Sequence, residues 1–443
     1  MKASQKRAMQ DIDEMDRESF VNICRDKGSH AFTRKRKMPL NDVILSMINK
    51  KGLTLSLELR NFMKTVHPGE RISKVGYLKQ RMKLNPEAFR YLYRFHNKNF
   101  YADGDYKIYN GHLVLAADGS NILLPTTQET LEYYGTSSRK EAKPQAALGL
   151  GCLYDVLNRM ILDSDCNRCK FDEMAVAEAQ LDRVRDTIGA EQPYVVVMDR
   201  GYPSTAAFIR MMDKGIRFLV RLKSSDFKRE QVTMVGDDAW VEIVLDKNRV
   251  RHYEGTEIGE QMARLGSIRL RMIRVTLDGG QQEMLLTNLL TEDFNTDQIA
   301  ELYRLRWGIE TAFETLKSRL QLENFTGTKP RLLLQDIYST IYVSNFAQDI
   351  IRDAEKELNN KQTSYKHKMV INQTVSIGIL KDELIFIIME PDRDKKNALF
   401  QKLYDEISSN LVPVRPDRHY SRAKGILAAK ISVTHKRAFW PDL

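Results

Sequence analysis

The pattern of hydrophobic and polar positions changes character along the chain. Up to about residue 110, apolar residues recur every three or four positions, the spacing of helices with one buried face. Asn41 can cap the run VILSMINKKG, LSLELRNFMKTV follows, and Ser73 can cap KVGYLKQRMKL after the break HPGER. Asn85-Pro86-Glu87 supplies a capped start with proline at the first helical position, and Phe89, Leu92 and Phe95 then repeat at three-residue spacing. Near residue 111 the runs become strand-like. HLVLAADGSNILLP reads as a buried strand, a turn at Asp118-Gly119 and a second strand; KPQAALGLGCLYDV and RMILDSDC read as further strands. FDEMAVAEAQLDRVRDTIG is a predicted helix ending at Gly189, PYVVVMDRGYPS an apolar strand that stops at Asp199, STAAFIRMMDKG a helix and IRFLVRLK a strand. Strands alternating with helices predict an α/β domain.

Residues 226–290 return to short alternating runs. WVEIVL is one, and RVTLDGGQQEMLLTNLL carries an Asp-Gly hairpin signal between two strands, so this stretch reads as a β-rich insertion. A helix is predicted from near Thr296 to about Leu320, and another long one over LLLQDIYSTIYVSNFAQDIIRDAEKEL. Residues 359–368 are polar and read as a loop.

Composition narrows the picture by exclusion. No stretch approaches 18 uninterrupted apolar residues, so no transmembrane helix and no membrane partner is expected. The opening MKASQKRAMQDIDEMDRE has no apolar core of a signal peptide, and 4 cysteines in 443 residues make no disulfide framework; a cytoplasmic setting is expected. Cys166 and Cys169 form a CxxC, but no histidine stands between His112 and His252, which leaves too few ligands for tetrahedral zinc. Charge says more because it is uneven. Residues 21–100 hold 18 Lys and Arg against 5 Asp and Glu, whereas residues 111–443 hold 46 against 47. A segment that basic, built of short helices, points to a helix-turn-helix-like module for nucleic acid. The last 33 residues are basic again, with 7 Lys and Arg against 2 Asp.

Candidate chemistry sits where strands stop. VLAAD and VVVMD are apolar runs closed by Asp118 and Asp199, each with a glycine one or two residues on. Sites in open α/β sheets gather at carboxyl ends of strands. A third carboxylate lies in YRLRWGIETAFETLK, residues 303–317. At about 100° per residue of continuous helix, Tyr303, Arg306, Glu310 and Lys317 share an arc of about 60°. Leu305, Ile309, Ala312, Phe313 and Leu316 face the other way, and Glu314 also falls on the polar arc, so geometry leaves the two glutamates open. Three carboxylates from separate elements can hold two Mg²⁺ ions about 4 Å apart, the arrangement for phosphodiester hydrolysis or transesterification. Arg306 and Lys317 are natural phosphate partners, and Tyr303 adds a hydroxyl or a stacking ring.

These residues resemble the DDE transposases of bacterial insertion sequences, in the group with the signature Y-x2-R-x3-E-x6-K (the insertion-sequence-4-like family). Tyr303, Arg306, Glu310 and Lys317 fit that spacing, Asp199-Arg200-Gly201-Tyr202 matches the second block, and Asp118 matches the first aspartate. The resemblance covers about residues 110–330. It implies a ribonuclease H-like core interrupted by a β-rich insertion: core in 111–225 and 291–357, insertion in 226–290, a helical DNA-binding domain in 1–110 and a C-terminal region in 358–443. It implies metal ligation by Asp118, Asp199 and Glu310, with two Mg²⁺ ions or Mn²⁺ in their place, and phosphate contacts from Tyr303, Arg306 and Lys317. It makes Glu310 the ligand and Glu314 a bystander. The implied activity is cut-and-paste transposition on double-stranded DNA, terminal inverted repeats and target, by a homodimer. Some members form a hairpin in which an aromatic of the insertion stacks on a flipped base; Trp240 is the candidate, a core tryptophan the alternative reading. A non-transposing nuclease on the same core, or a DNA-binding regulator with an inactive core, are the rival functions. No G-x-x-x-x-G-K-[ST] run suggests nucleotide hydrolysis.

Overall fold

The structure is a computed structural model that describes residues 1–34, 37–137, 143–276, 280, 282–359 and 367–414. The chain divides into two compact units. The first is built from residues 1–104, 121–148 and 313–443, the second from residues 105–120 and 149–312.

The second unit carries an eight-stranded sheet in the order β3-β2-β1-β4-β5-β8-β7-β6. The strands are β1 (Leu113–Leu123), β2 (Ala147–Asp155), β3 (Met160–Arg168), β4 (Tyr194–Met198), β5 (Arg217–Leu222), β6 (Asp238–Val244), β7 (Ser267–Thr276) and β8 (Gln282–Thr287). β1, β4 and β5 run parallel, whereas β5–β8, β8–β7 and β7–β6 are antiparallel. Parallel neighbours need crossovers, and the helices Glu173–Ile188 and Thr205–Asp213 supply them before and after β4. All five residues of β4 are buried, which is why YVVVM reads as a continuous apolar run rather than an alternation. One core joins Val114, Val195, Val197 and Leu219 of the parallel strands to Ile273 and Leu285, and to Ile299 and Leu302 of the helix Thr296–Leu305.

Two expectations are corrected here. Asp118-Gly119 is no turn: β1 runs through both residues, and Gly119 has no positive φ. The strands of residues 226–290 extend the same sheet: β8 pairs with β5 and carries β7 and β6 with it, burying Leu285, Leu286 and Ile273. The hairpin between β7 and β8 exists, with Thr276 opposite Gln282, while its Asp-Gly turn lies outside the described residues. The helix predicted from Thr296 to Leu320 is interrupted. An Asn295 capping box starts a helix that stops at Leu305; a second runs Gly308–Glu314, and Thr315–Arg319 widens into a π turn. Gly308 permits the break, since a Cβ there would lie 3.3 Å from Val156. A count of 100° per residue therefore does not carry from Tyr303 to Lys317.

The first unit is helical. Its N-terminal helices are Ala3–Met15, Glu18–Ile23, Leu40–Ile48, Leu55–Val66, Lys74–Arg81 and Glu87–Ala102. Ser73 caps as predicted, accepting from the Gly76 amide, and the Asn85 side chain accepts from the Glu87 amide. Asn41 does not cap; its helix begins at Leu40 behind Pro39, and its side chain donates to Asp16. The helix Pro330–Asn359 spans the unit's interior and is fastened by buried charges. Arg7 pairs with Asp349, and Arg81 with Asp336 at 3.2 Å. The helices Gln373–Met389 and Arg393–Ser409 follow, with β9 (Met369–Ile371) pairing with β10 (Leu411–Pro413). Most of the polar loop at 359–368 and nearly all of the basic last 33 residues lie outside the described residues. Among the described residues no helix is long and apolar enough to cross a membrane.

Candidate active site

Strand register brings the two aspartates together. Ala116 of β1 sits opposite Val197 of β4, so carrying the register two residues forward sets Asp118 beside Asp199. Met198 sits opposite Val220 of β5, so the next step sets Asp199 beside Arg221. Two acids and a cation thus occupy one row across three parallel strands. The burial of β1 changes at this row, from five fully buried residues to partly open ones at Asp118, Gly119 and Ser120.

Three side chains of the helical signature, Tyr303, Arg306 and Glu310, converge on the row. Arg306, 6% exposed, donates from Nη2 to Glu310 Oε1 at 2.9 Å, and its Nη1 stands 3.9 Å from Asp118 Oδ2. Tyr303, also buried, donates its hydroxyl to Asp199 Oδ1 at 3.3 Å. Arg221 Nη1 is 3.9 Å from the same Asp199 oxygen, while its Nε donates to Glu283 at 2.6 Å. Glu310 is half-buried and bonded to Arg306, whereas Glu314 is exposed. Lys317 belongs to the first unit, where its ammonium donates to the Asn121 carbonyl at 2.7 Å; burial lowers its pKa, with Glu323 opposing. Trp240 is half-buried on β6, under the guanidinium of Arg269 at 5.6 Å.

A further carboxylate was not visible in sequence. Glu173 opens the helix after β3, where an acid ordinarily complements the helix dipole and carries no catalytic signal. A Cβ on Gly119 would lie 2.9 Å from Glu173 Oε1 and 3.0 Å from Phe171, so Gly119 is glycine because this side chain lies across it. Buried Tyr202 hydrogen-bonds Glu173. Arg221 was also overlooked, although a charge inside the apolar run RFLVRL was a legible signal.

Burial shifts two of these acids. Burial pushes the Asp118 carboxyl up to about 6; the Gly119 amide, which donates to it at 2.8 Å, and Arg306 oppose the rise, and Glu173 and Asp199 add to it. Burial raises Glu173 as well, against its bond from Tyr202. Burial, moderated by Arg306, holds the Tyr303 hydroxyl up at about 12, so it acts as a donor at neutral pH. Among the described residues no three acids or histidines stand close enough to hold a metal ion with the side chains as they lie. The donor set nonetheless fits a hard cation, since every candidate ligand is a carboxylate oxygen.

The chain belongs to the transposase DDE domain family, whose pattern matches residues 109–346, just over half its length. Over 77 residues the chain is 36% identical to the transposase for insertion sequence element IS421 of Escherichia coli. It matches the InsL protein of insertion sequence element IS186A of Escherichia coli (strain K12) to the same extent. The match takes 17% of this chain and spans 21% of either relative's length. Among solved structures, the piggyBac transposase in a synaptic complex with hairpin DNA is similar at a TM-score of 0.44 and 10% identity, over 93% of this chain and 87% of that one.

Proposed function

We propose that the chain is a DNA transposase that cuts at the ends of an insertion sequence and joins them to target DNA, acting in the cytoplasm on the nucleoid. The observation that carries this reading is the row of Asp118 and Asp199 on adjacent parallel strands, tied through Arg306 to Glu310, within the matched domain. The order β3-β2-β1-β4-β5 with β1, β4 and β5 parallel supports a ribonuclease H-like core over 111–225 and 291–357. Residues 226–290 are then an insertion that lengthens the sheet beyond β5, residues 1–110 bind the double-stranded terminal inverted repeats, and 358–443 form the C-terminal region. Two copies of the chain act together on paired ends.

Asp118, Asp199 and Glu310 would hold two Mg²⁺ ions, or Mn²⁺ in their place. Such ions make a nucleophile of water or a 3′-hydroxyl and stabilise the leaving oxygen. The chain's own groups position the rest. Arg306 uses two nitrogens toward Glu310 and Asp118, and its remaining N–H groups face a backbone phosphate; a planar fork serves both tasks where a lysine could not. Tyr303 orients Asp199 through its hydroxyl and contacts the transposon-end backbone, and Lys317 holds another phosphate of that end. Tyr202 holds Glu173 against Gly119, so that a fourth acid keeps Asp118 in an electronegative setting.

The test is a nicking assay on duplex DNA carrying the element's end, with Mg²⁺, with Mn²⁺ and with chelator. Asp118→Asn, Asp199→Asn and Glu310→Gln should each abolish nicking, and Glu314→Gln should spare it. Nicking by Glu310→Gln with Glu314→Gln dead would overturn the choice of glutamate, and cleavage in chelator would overturn the chemistry.

A further inference from the structure

We propose that a cationic groove beside Asp199 holds the phosphate backbone of one DNA strand as it leaves the reacting centre; this rests on the transposase reading of that centre. The groove is a cavity of about 750 Å³ in the second unit, bordered by Arg200, Arg221, Lys223, Lys228, Arg274 and Glu283. Its charges do not balance. Glu283 is the acid of the lining, and Arg221 already holds it, Nε to Oε2 at 2.6 Å. Arg274 spends part of its charge on exposed Asp237, at 2.8 Å. Arg200, Lys223 and Lys228 are exposed and have no carboxylate in ion-pair range among the described residues. Three cations left unpaired around one cavity repel one another, an arrangement that a polyanion relieves.

The distribution of the cations selects the ligand. Arg200 follows β4, Lys223 follows β5, Lys228 opens the helix Lys228–Thr233, and Arg274 lies on β7. Charges strung over four elements suit an anion whose phosphates repeat along a chain, not one compact phosphate. The volume lies within the range of about 300–1,000 Å³ that encloses a small organic ligand, which is room for a short length of single strand and far too little for a duplex. Arg221 joins groove to centre, since it borders the cavity and stands 3.9 Å from Asp199. A strand whose scissile phosphate lies at the aspartates therefore has a basic path directly beside it.

The experiment uses the full chain with chelator present and a fluorescein-labelled, mixed-sequence single-stranded oligodeoxynucleotide, followed by anisotropy over a salt series. The double variant Lys223→Gln/Lys228→Gln removes two phosphate contacts. At about 0.7 per contact for a single strand, the slope of log affinity against log salt should fall by about 1.4, which is about 25-fold in affinity between 1 M and 0.1 M salt. A second measurement does not depend on background binding elsewhere in the chain. A photo-crosslinker on Lys228→Cys should capture the oligonucleotide well above the same reagent on Glu191→Cys, an exposed position away from the groove. An unchanged slope and affinity in the double variant, or equal capture at 228 and 191, overturns the proposal. The two readings fail separately: nicking that survives Asp118→Asn sinks the transposase chemistry while groove binding stands, and metal-dependent nicking with wild-type binding by the double variant sinks the groove alone.

Discussion

Replacing Asp118 by asparagine should make the protein inactive and more stable. The folded protein holds the Asp118 proton at a pKa of about 6 against 3.8 for the free side chain, with burial as the leading cause. A carboxyl raised on folding favours the folded state while it is protonated. Its benefit is complete below pH 3.8 and is lost as pH rises to about 6. Above that range the ionised carboxylate destabilises the fold by the whole interval, about 2 pKa units or about 3 kcal/mol at 1.36 kcal/mol per unit. Asparagine removes the charge and retains an oxygen for the Gly119 amide, which now donates to Asp118 at 2.8 Å. The lost attraction of Arg306 at 3.9 Å is already contained in the net shift. The gain should therefore be about 2–3 kcal/mol at pH 8 and about 0.6 kcal/mol at pH 4. Because the chain has two compact units, the measurement is amide hydrogen exchange of β1 and β4 with chelator present, which reads the stability of the unit that carries Asp118. Exchange from the most protected amides should slow by about 100-fold at pH 8 and by about threefold at pH 4. No protection gained at pH 8, or an equal gain at both pH values, would refute the account of Asp118 as a carboxyl raised by burial.

Arg306→Ala removes the partner of Glu310 and the cation nearest Asp118; single-turnover cleavage on pre-bound DNA should fall by about 10²-fold or more, with Arg306→Lys restoring only part, and wild-type rates would reduce that helix face to plain surface. Lys317→Ala should leave circular dichroism unchanged and lose most cleavage or strand transfer, so joining at the wild-type rate would remove its phosphate role. Gly149→Ala puts a Cβ 2.3 Å from the Phe171 ring and 2.9 Å from the Arg168 carbonyl, which should cost about 1–3 kcal/mol by overpacking; an unmoved thermal midpoint would count against that packing. The basic excess in residues 21–100 predicts end binding that weakens steeply with salt in gel-shift titrations, and salt-independent binding would remove the module's assigned role.

Much of the fold was legible in the chain itself. The apolar runs of β2, β4 and β5, the helices ending at Gly189 and beginning at Ser204, and the caps at Ser73 and Asn85 follow from local chemistry that any context would respect. The candidate acids were legible for the same reason: Asp199 interrupts a run that has no other cause to stop, and the spacing of Tyr303, Arg306, Glu310 and Lys317 can be counted. Errors arose where a local signal was outweighed at a distance. Asp-Gly is a strong turn signal, yet β1 passes through Asp118-Gly119, because Glu173 and Phe171 fill the space over Gly119. The alternating runs after residue 226 leave their partner open, and β8 finds the edge of β5. The stretch from Thr296 to Leu320 has helical periodicity throughout, yet it breaks at Arg306–Trp307, where Gly308 meets Val156. By itself, then, the sequence determined most of the strands and helices and which side chains are candidates for the chemistry, since propensity, capping and burial period act over a few residues. Only the tertiary structure decided that Asp118, Asp199 and Arg221 share a row, that Glu173 joins them, and that Arg306 spans Asp118 and Glu310. Strand register and the meeting of side chains from about 20 to about 190 residues apart depend on which surfaces pack together, and local periodicity does not encode that.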